Sequence, residues 1–410
     1  MRIVSLLAPI RCGVYGSHRV LSHHLAARGY SITWLCSGAS QKQLIAGEEA
    51  DNETADGEAV ATHTEAIGER TKAIVERILE MSPAIVLCHA IGDQVDFNAV
   101  RYLPVSVPKV LVMHGTSLAC YRAAKAVRHH VSATVAISPR IREDLISSYG
   151  FHGRRVKLVP NGVDISSFST PALSNHPSGQ LRILSHGRAD NTSKGVYWLP
   201  EILSEFTRHT QEWELTVSGD GPDLAELKRR FTAAGLAGRV KFLGWTGPKE
   251  VPALMNRHDV LLFPSRYEGF GTVLIEAMAG GCTPIASFLP GISDWIIEDG
   301  ISGSLFPVGN VKRAAAHLLD LHNDRNRLAF LRQQARQAAK RFSLESMVDG
   351  YVKLFREVLL QPSHVRPPEP IDNCKLPPGL QPGWWFKLPE PVKNHLRAAR
   401  ELARSHFRVP

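Results

Sequence analysis

The amino-acid sequence predicts an α/β protein with two doubly wound domains, each built on a parallel sheet with helices on both faces. Its 410 residues exceed what one hydrophobic core usually serves. Short apolar runs of strand length alternate with segments of helical periodicity along most of the chain. That alternation is typical of parallel sheets covered by helices. A second series of strands and helices begins at Leu181, after a stretch rich in Ser and Pro.

The first domain is predicted to cover residues 1–165. An apolar strand at 3–8 precedes a loop that contains Gly13 and Gly16, and a helix follows from Val20. The other predicted elements of this domain are strands at 31–36, 84–88, 109–113 and 131–137, a helix at 67–81, and a polar, acidic segment at 37–69 that is expected to hold a mobile loop or lid.

A linker at 166–180 and a second domain at 181–342 follow. The strands of this domain are predicted at 181–185, 214–218, 239–243, 259–263, 283–286 and 303–306. A helix at 343–360 and a basic tail at 361–410, rich in proline at its start, complete the chain. The tail places two tryptophans and a phenylalanine at 383–387, ahead of a short basic amphipathic helix. We therefore expect it either to lie on a membrane surface or to pack on the domains.

Composition and charge limit the classes of function. A net charge of +9 favours anionic partners such as nucleic acid, sugar nucleotides or acidic lipid surfaces. No nucleic-acid-binding module is recognisable and aromatic residues are not interleaved with the basic clusters, so no nucleic-acid partner is expected. Six cysteines lie far apart without a Cys-X-X-Cys pair, and no apolar run is long enough to span a membrane. We expect a cytoplasmic protein with reduced thiols, with at most a peripheral contact on the inner face of a membrane.

The stretch at 263–284 carries the strongest chemical signal. An apolar run ends at Pro264, and a loop with Gly269 and Gly271 then opens onto an apolar helix that begins near Thr272. The first N–H groups of a helix lack internal partners and attract anions, and glycines allow a ligand to approach the backbone closely. A strand, glycine loop and helix in this order therefore suit a diphosphate.

Two carboxylates, Glu268 and Glu276, bracket this turn with seven residues between them. Such a pair can bind hydroxyl groups on either side of a bound diphosphate. The alternative is that Glu276 only complements the helix dipole and that Glu268 is a solvated loop acid.

Three further polar residues follow strand ends. His114 stands directly after the strand at 109–113, where ligands of open α/β sheets bind, although a lone histidine is more often structural. Arg188 and Lys194 lie six residues apart after the strand at 181–185, each beside a glycine. A guanidinium fork and an ammonium can together neutralise a diphosphate without a metal. The alternative for both cations is a solvated position on the surface.

The string at 263–284 resembles the Glu-seven-residues-Glu motif of retaining glycosyltransferases of the GT-B fold, in particular glycosyltransferase family 4. The His-Gly pair at 114, the Gly-Arg pair at 187 and the Lys-Gly pair at 194 are similar to further motifs of that family. The resemblance covers roughly residues 1–360. It implies a GT-B architecture in which two Rossmann-like domains face a central cleft and the helix at 343–360 crosses back onto the first domain.

The resemblance also implies a role for each matching residue. For the donor diphosphate, the implied contacts are Arg188 and Lys194, and its terminal phosphate meets the backbone around Gly271 and Thr272. Gly269 and Phe270 are implied as further donor-binding residues. Glu276 is implied to contact the ribose, Glu268 the donor sugar, His114 the sugar and the reacting groups, and Gly13 and Gly16 the diphosphate or the acceptor. The implied catalytic residues are His114, Glu268, Arg188 and Lys194.

We therefore expect a retaining, metal-independent glycosyltransferase that moves a sugar from a nucleotide-diphosphate sugar to a saccharide or lipid-linked acceptor, in cell-surface polysaccharide or glycolipid synthesis. No Asp-X-Asp occurs in the chain, so neither a metal nor any cofactor besides the donor substrate is expected. Two alternatives stay open: a nucleotide-sugar hydrolase or epimerase of the same fold, and a sugar-nucleotide-binding protein without turnover. For eight Lys or Arg between 122 and 157, an anionic membrane or acceptor and a solvated basic face are equal alternatives.

Overall fold

The computed structural model describes residues 1–8, 13–37, 57–61, 63–90, 94–168, 179–360, 365–381, 388–389, 392–393, 395–396 and 399. Within these ranges the chain forms two compact units. The first unit consists of residues 1–162 together with 344–388, and the second of residues 163–343 together with the described residues from 389 onward.

The first unit is built on a parallel sheet. Its described strands are β1 (Arg2–Leu6), β2 (Ser31–Ser37), β3 (Gly57–Val60), β4 (Ile85–His89), β5 (Lys109–Met113), β6 (Ala133–Ala136) and β7 (Val156–Leu158). They lie in the order β3-β2-β1-β4-β5-β6-β7, and every neighbouring pair is parallel. The order reverses between β1 and β4, and the carboxyl ends at such a switch point are where open α/β sheets bind ligands.

The helices of this part of the first unit alternate with its strands. They are α1 (Gly13–Ala26), α2 (Ile67–Met81), α3 (Gln94–Asn98), α4 (Leu118–Val127) and α5 (Pro139–Tyr149), with single 3₁₀ turns at Ala99–Arg101 and Gly153–Arg155. Serine caps fix the start of two of them, because Ser117 Oγ accepts from the N–H of Cys120 and Ser138 Oγ from that of Ile141. β4 and β5 are buried along their whole length, which explains why the sequence shows them as unbroken apolar runs.

The first helix starts earlier than the sequence predicts. α1 begins at Gly13 and not near Val20, because its buried face extends back through Tyr15 and His18. Gly16 therefore lies inside the helix rather than in a loop. The two glycines hide this start in the sequence, since glycine is a poor helix former.

A strand that the sequence did not predict lies within the polar segment at 37–69. β3 pairs with β2 at the sheet edge, with Gly57 beside Trp34. Its residues are only half-buried, so they give a weak apolar signal. A Cβ at Gly57 would lie 2.3 Å from the carbonyl oxygen of Trp34, so the close pairing needs a glycine there. The expected mobile loop or lid falls largely on residues 38–56, which lie outside the described residues.

The second unit repeats the plan. Its described strands are β8 (Leu181–His186), β9 (Trp213–Ser218), β10 (Val240–Gly244), β11 (Val260–Phe263), β12 (Thr283–Ser287) and β13 (Ser304–Phe306), parallel in the order β10-β9-β8-β11-β12-β13. Its helices are α6 (Asn191–Lys194), α7 (Trp198–Thr207), α8 (Leu224–Ala233), α9 (Val251–Arg257), α10 (Thr272–Gly280), α11 (Ser293–Ile296), α12 (Val311–Asn323) and α13 (Arg325–Ala339), with 3₁₀ turns at Ile165–Phe168, Ala237–Arg239, Pro248–Glu250 and Lys340–Phe342. The strand order reverses between β8 and β11.

A buried ion pair joins the amino ends of β8 and β11. Arg182 donates Nη2 to Asp259 Oδ1 at 2.8 Å and Nε to Oδ2 at 3.2 Å, and Arg332 Nη1 donates to Oδ1 at 3.0 Å. Burial alone would raise the pKa of the Asp259 carboxyl, but the hydrogen bonds and positive charge of Arg182 hold it below its usual range. The two central strands are thus fastened at one end, and their carboxyl ends remain for loops that bind ligands.

The chain returns to the first unit after residue 343. α14 (Leu344–Leu360) packs on α1, and the ring of Phe355 lies 5.7 Å from that of Tyr30. Lys157 Nζ pairs with Glu357 Oε2 at 2.6 Å. This helix therefore contributes to the core of the first unit.

The tail segment at 365–381 also packs on the first unit. Arg101 Nη2 pairs with Glu369 Oε2 at 2.5 Å, and Leu380 is fully buried. A single 3₁₀ turn at Ile371–Asn373 lies within this segment. The aromatic stretch at 383–387, for which a membrane contact or packing was expected, lies outside the described residues.

The described part of the chain bears on two expectations, that the thiols are reduced and that no segment spans a membrane. Its five cysteines are all free thiols, and Cys36, Cys88 and Cys282 are buried. None of its helices combines the length and the apolar character that crossing a bilayer requires.

Candidate functional site

Two loops at the carboxyl ends of β8 and β11 are tied together in the second unit. The carbonyl oxygen of Ser193 accepts the N–H of Arg266 at 2.7 Å, and Arg266 Nε donates to the carbonyl oxygen of Asn191 at 3.0 Å. The loop that carries Lys194 is thereby held against the loop that carries Glu268, at the switch point of this sheet.

Gly195 permits this close approach. Its φ is +61°, which L side chains rarely adopt. A Cβ at this position would also lie 2.3 Å from the carbonyl oxygen of Pro264 and 2.6 Å from the ring of Trp198. The glycine that follows Lys194 is therefore required both by its own backbone conformation and by its neighbours.

Glycines also bring the loop after β8 against the loop after β9. The N–H of Gly187 donates to the carbonyl oxygen of Ser218 at 3.0 Å. A Cβ at Gly219 would lie within 1.9 Å of the carbonyl oxygen of Gly187, and one at Gly221 within 2.4 Å of that of Ala189. The glycines at 219 and 221 thus have a packing role that needs no ligand.

These loops border a small pocket that opens to solvent. Its lining residues are Ser185, His186, Gly187, Arg188, Ala189, Lys194, Val196, Val217, Leu262, Phe263, Pro264 and Ser265. Arg188 is exposed, and it and Lys194 line the same pocket, so the two cations singled out in the sequence share one site.

Lys194 and Glu268 are in direct contact. Lys194 Nζ donates to Glu268 Oε1 at 2.5 Å, and Ser265 Oγ donates to the same oxygen at 2.8 Å. The two side chains are 26% and 11% exposed, so the pair is partly shielded from solvent screening. The interpretation of Glu268 as a solvated loop acid is therefore wrong.

The helix that follows the glycine loop begins as the sequence predicts. α10 starts at Thr272, directly after Gly271 with a φ of +100°. Its first N–H groups have no partners within the helix and point back toward the loop. Glu276 is partly buried, burial raises the pKa of its carboxyl to about 7, and no described residue donates a hydrogen bond to it. Such a carboxyl is available to a hydroxyl of a ligand.

Phe270 anchors the glycine loop in the core. Its buried ring packs edge-on against Trp295 and Phe342, with centroids 6.2 and 5.9 Å away. The expected contact of Phe270 with a donor is therefore limited to its backbone, as it is for Gly269 and Gly271.

His186 also lines the pocket, and its hydrogen-bond partners were not indicated by the sequence. Its Nδ1 lies 2.9 Å from Ser218 Oγ, which lies 2.6 Å from Thr246 Oγ1. Burial and the nearby charge of Lys194 lower the pKa of the His186 ring to about 4, so it is neutral at physiological pH.

In the first unit, His114 follows β5 and contacts a second histidine. His89, the last residue of the adjacent β4, has its Nδ1 2.8 Å from His114 Nε2, and the planes of the two rings lie within 20° of each other. Burial lowers the pKa of His114 to about 3 and that of His89 well below its usual value, so both rings are neutral at physiological pH. Sequence reasoning missed His89, although it stands at a strand end just as His114 does.

Gly13 and Gly16 lie in the first turns of α1. Both are exposed, and a Cβ at either would meet no atom within 4 Å. Packing within the first unit therefore does not require a glycine at either position. These two residues and His114 belong to the first unit, whereas the site residues predicted between 188 and 276 belong to the second.

The basic residues between 122 and 157 are partly used inside the first unit. Arg140 is buried and pairs with Asp144, Nε to Oδ2 at 3.1 Å, and Lys157 pairs with Glu357. Arg122 Nη2 donates to the carbonyl oxygen of Pro378 at 3.4 Å. The basic face is therefore narrower than the count of eight cations indicates.

Three arginines from separate segments of the first unit lie near His129. Partial burial and the charges of Arg128, Arg366 and Arg155 lower the pKa of His129, which lies among them. The N–H of Arg366 donates to the carbonyl oxygen of His129 at 2.8 Å, which brings the tail segment to this cluster. We refer to Arg128, Arg155 and Arg366 as the arginine cluster.

Comparison with known proteins gives two family matches. Residues 19–167 match the family model described as Glycosyltransferase Family 4, and residues 169–341 match the one described as Glycosyl transferases group 1. Together they cover most of both units. They confirm the family that the motifs at 114, 187, 194 and 263–284 resemble.

Individual relatives agree with these matches. The chain is 34% identical over 168 residues to a phosphatidyl-myo-inositol mannosyltransferase of Mycolicibacterium smegmatis, which covers 40% of this chain and 42% of that protein. It is 30% identical over 168 residues to an alpha-D-kanosaminyltransferase of Streptomyces kanamyceticus, covering 40% and 43%. The match thus spans less than half the length of either relative.

Solved structures share the fold. HepE of Anabaena, solved in complex with UDP and glucose, superposes with a TM-score of 0.71 at 19% identity, covering 87% of this chain and all of that one. The two Rossmann-like units are those of the GT-B class, as the sequence predicts. With both family models matched in order along the chain, the protein belongs to glycosyltransferase family 4.

Proposed function

We propose that the chain is a glycosyltransferase that moves a sugar from a nucleotide-diphosphate sugar, bound by the second unit, to a hydroxyl of a saccharide or lipid-linked acceptor. The observation that supports this most is the shared pocket of Arg188 and Lys194, with Glu268 on Lys194. HepE, solved with UDP and glucose, supports a nucleotide-linked donor, and the relative named phosphatidyl-myo-inositol mannosyltransferase supports a lipid acceptor. A role in cell-surface polysaccharide or glycolipid synthesis fits such acceptors.

In the proposed reaction the bond between the anomeric carbon and the diphosphate oxygen breaks, and its electron pair leaves with the diphosphate. Arg188, Lys194 and the first N–H groups of α10 oppose the charge that develops there. The acceptor oxygen forms the new bond to the anomeric carbon, and its proton passes to an oxygen of the departing diphosphate. Departure and attack on the same face of the sugar would retain its configuration. Two protein cations supply the neutralising charge, so we infer that no divalent metal is needed.

The carboxylates and the histidine would bind hydroxyl groups. Glu268 lies in the loop after β11 and is proposed to bind the donor sugar, while Glu276 is proposed to bind the ribose. His114, at the carboxyl edge of the first unit's sheet, is proposed to bind a hydroxyl of the saccharide. Each group accepts or donates without itself changing covalently.

A first experiment tests the donor site alone. Nucleoside diphosphates (UDP, GDP and ADP) are added to the wild type, to Lys194→Ala and to Lys249→Ala, an exposed lysine in the same unit, and thermal stability is measured. At least one diphosphate is expected to stabilise the wild type and Lys249→Ala but not Lys194→Ala. Equal stabilisation of all three proteins would contradict the assignment of the pocket.

A second experiment follows a labelled donor with and without saccharide and lipid-linked acceptors. Transferred label with retained configuration, measured by the anomeric NMR coupling, is the expected result and should survive EDTA. Free sugar in the absence of acceptor would indicate a hydrolase, and an altered sugar on the nucleotide an epimerase. Binding with an unchanged donor under every condition would indicate a protein without turnover. Loss with EDTA that Mg²⁺ or Mn²⁺ restores would contradict the metal-independent scheme.

We also propose that the first unit contacts an anionic membrane surface through the arginine cluster. Each basic residue near such a surface contributes on the order of 1 kcal/mol. The test is sedimentation with vesicles containing anionic lipid. Arg128→Gln with Arg155→Gln is compared with Arg208→Gln and Arg229→Gln, which remove the same charge from side chains 72% and 77% exposed on the second unit.

The vesicle experiment has a clear reading. Loss of binding in the first pair only, together with weaker wild-type binding at high salt, supports the proposal. Equal binding of both pairs, or binding that salt does not weaken, contradicts it.

A further inference from the structure

A chain of hydrogen-bonding groups runs through the switch point of the first unit's sheet. Ser5 on β1 has its Oγ 3.0 Å from His89 Nε2 and 3.4 Å from Nδ1 of His18 on α1. His89 Nδ1 in turn lies 2.8 Å from His114 Nε2. The chain thus leads from the start of the sheet to the ring of His114 at its carboxyl edge.

The groups of this chain differ in exposure. Ser5, His89 and His18 are 0%, 3% and 5% exposed, whereas His114 is partly exposed. Burial lowers the pKa of His18 to about 4, and the pKa of the other two rings is lowered as well, so all three rings are neutral at physiological pH. Buried polar atoms cost free energy unless they are paired. An apolar residue at position 89 would avoid that cost, whereas a histidine must pair its ring nitrogens.

Neutral rings restrict where the protons lie. If His89 Nδ1 donates to His114 Nε2, then His89 Nε2 must accept from the hydroxyl of Ser5, and His114 carries its proton on Nδ1. If His114 Nε2 donates instead, then His89 Nε2–H donates to Ser5 Oγ, and Nδ1 of His114 is an acceptor. In both arrangements Nε2 of His114 is occupied, and only Nδ1 remains for a ligand.

We propose that His89, supported by Ser5, is a positioning residue that fixes the ring plane of His114 and couples its tautomer to the hydrogen bonds of the buried chain, so that Nδ1 is the ring atom left to face a hydroxyl of the bound saccharide. The ligand named in this inference rests on the proposed function. The hydrogen-bonded chain of Ser5, His89 and His114 does not depend on that function. A neutral ring held in this way binds a hydroxyl and does not act as a charged acid.

Three substitutions of His89 separate positioning from packing. The side-chain amide of Asn reaches the place of Nδ1 and can still bond His114, whereas that of Gln reaches the place of Nε2 and can bond only Ser5. Leu makes neither bond. A role in packing alone predicts the same activity for all three variants once each is shown to be folded. The control is His317→Leu, which removes a 9% exposed histidine whose Nε2 lies 3.2 Å from the carbonyl oxygen of Leu305, in the second unit.

The first measurement is the tautomer of His114 at pH 7, read from ring nitrogen shifts of protein labelled with ¹⁵N-histidine and assigned with His114→Gln. One tautomer is expected in the wild type and in His89→Asn, and a mixture in His89→Leu and His89→Gln. This measurement needs no turnover, so it decides the positioning role even if the chain proves to have no transferase activity. A single unchanged tautomer in His89→Leu would overturn the proposal.

The second measurement is kcat/KM for the sugar transfer. His89→Leu and His89→Gln are expected to lose roughly a hundredfold, the usual consequence of a misplaced binding group. His89→Asn should recover at least tenfold of that loss, and His317→Leu should lose little. Equal losses in Asn, Gln and Leu would show that His89 serves packing only.

Discussion

Gly195→Ala tests whether the contact between the two loops sets the position of Lys194. The new Cβ would lie 2.3 Å from the carbonyl oxygen of Pro264, and real Cβ contacts are essentially never below 3.0 Å, so the loops must separate by about 0.7 Å. Gly235→Ala is the matched control, because Gly235 has a φ of +70° in the same unit and open space around its Cβ position. Both variants pay roughly 1–2 kcal/mol for a left-handed alanine.

Only Gly195→Ala should lose activity. A displacement of this size at a binding group costs roughly a hundredfold in kcat/KM, or about 2.7 kcal/mol of barrier. Urea unfolding of both variants measures the shared loss of stability, and kcat/KM with a saturating acceptor measures the difference. If kcat/KM of Gly195→Ala stayed within twofold of that of Gly235→Ala, the loop contact would not position the cation.

Three further predictions concern charged groups. Lys194→Ala should lower turnover in steady-state assays by about 10² to 10³, or roughly 2.7–4 kcal/mol of barrier, whereas Lys249→Ala should stay near wild type. Near-normal turnover of Lys194→Ala would show that Lys194 does not bind the diphosphate. Glu276 has a folded-state pKa of about 7 against 4.5 unfolded, so its ionisation opposes folding and the wild type should lose roughly 3 kcal/mol between pH 4.5 and 8. Urea titrations of Glu276→Gln over that range should lack this loss, and an identical pH dependence would contradict the assignment. Asp259→Asn leaves Arg182 buried without its carboxylate and should cost about 3–5 kcal/mol. The folded-state pKa of Asp259 is lowered, so its ionised carboxylate contributes fully to the free energy of unfolding above about pH 4. This contribution disappears as the pH falls through the folded-state pKa. The stabilities of the variant and the wild type, measured by acid unfolding, should therefore converge.

Much of the fold was predictable because parallel strands are buried on both faces. β5 has the predicted bounds, and β8 and β11 differ by one residue at one end. The start of α10 after Gly271 was also predicted, since a glycine with positive φ ends the loop and the apolar helix follows at once. The edge strand β3 was not predicted, because half-buried residues at a sheet edge need little apolar character.

The candidate site was predictable as a set of residues, but not as a set of contacts. Arg188 and Lys194 were identified from spacing and resemblance, and the structure brings them to one pocket. The bond from Lys194 to Glu268 depends on how two distant loops meet, which local patterns do not encode. For the same reason the sequence showed His114 but not its partner His89, which lies on a neighbouring strand.

The division of the first unit along the chain has a consequence for its synthesis. Residues 1–162 leave the ribosome first, but α14 and the segment at 365–381, which complete the same unit, follow only after the whole of 163–343. At about 5–20 residues per second, the early part waits roughly 10–40 s for its missing helix. During that time the surface around Tyr30 that Phe355 later covers stays exposed, so the nascent chain carries an apolar surface that the folded unit buries. The second unit, continuous in sequence apart from its last residues, is the first that can close its core.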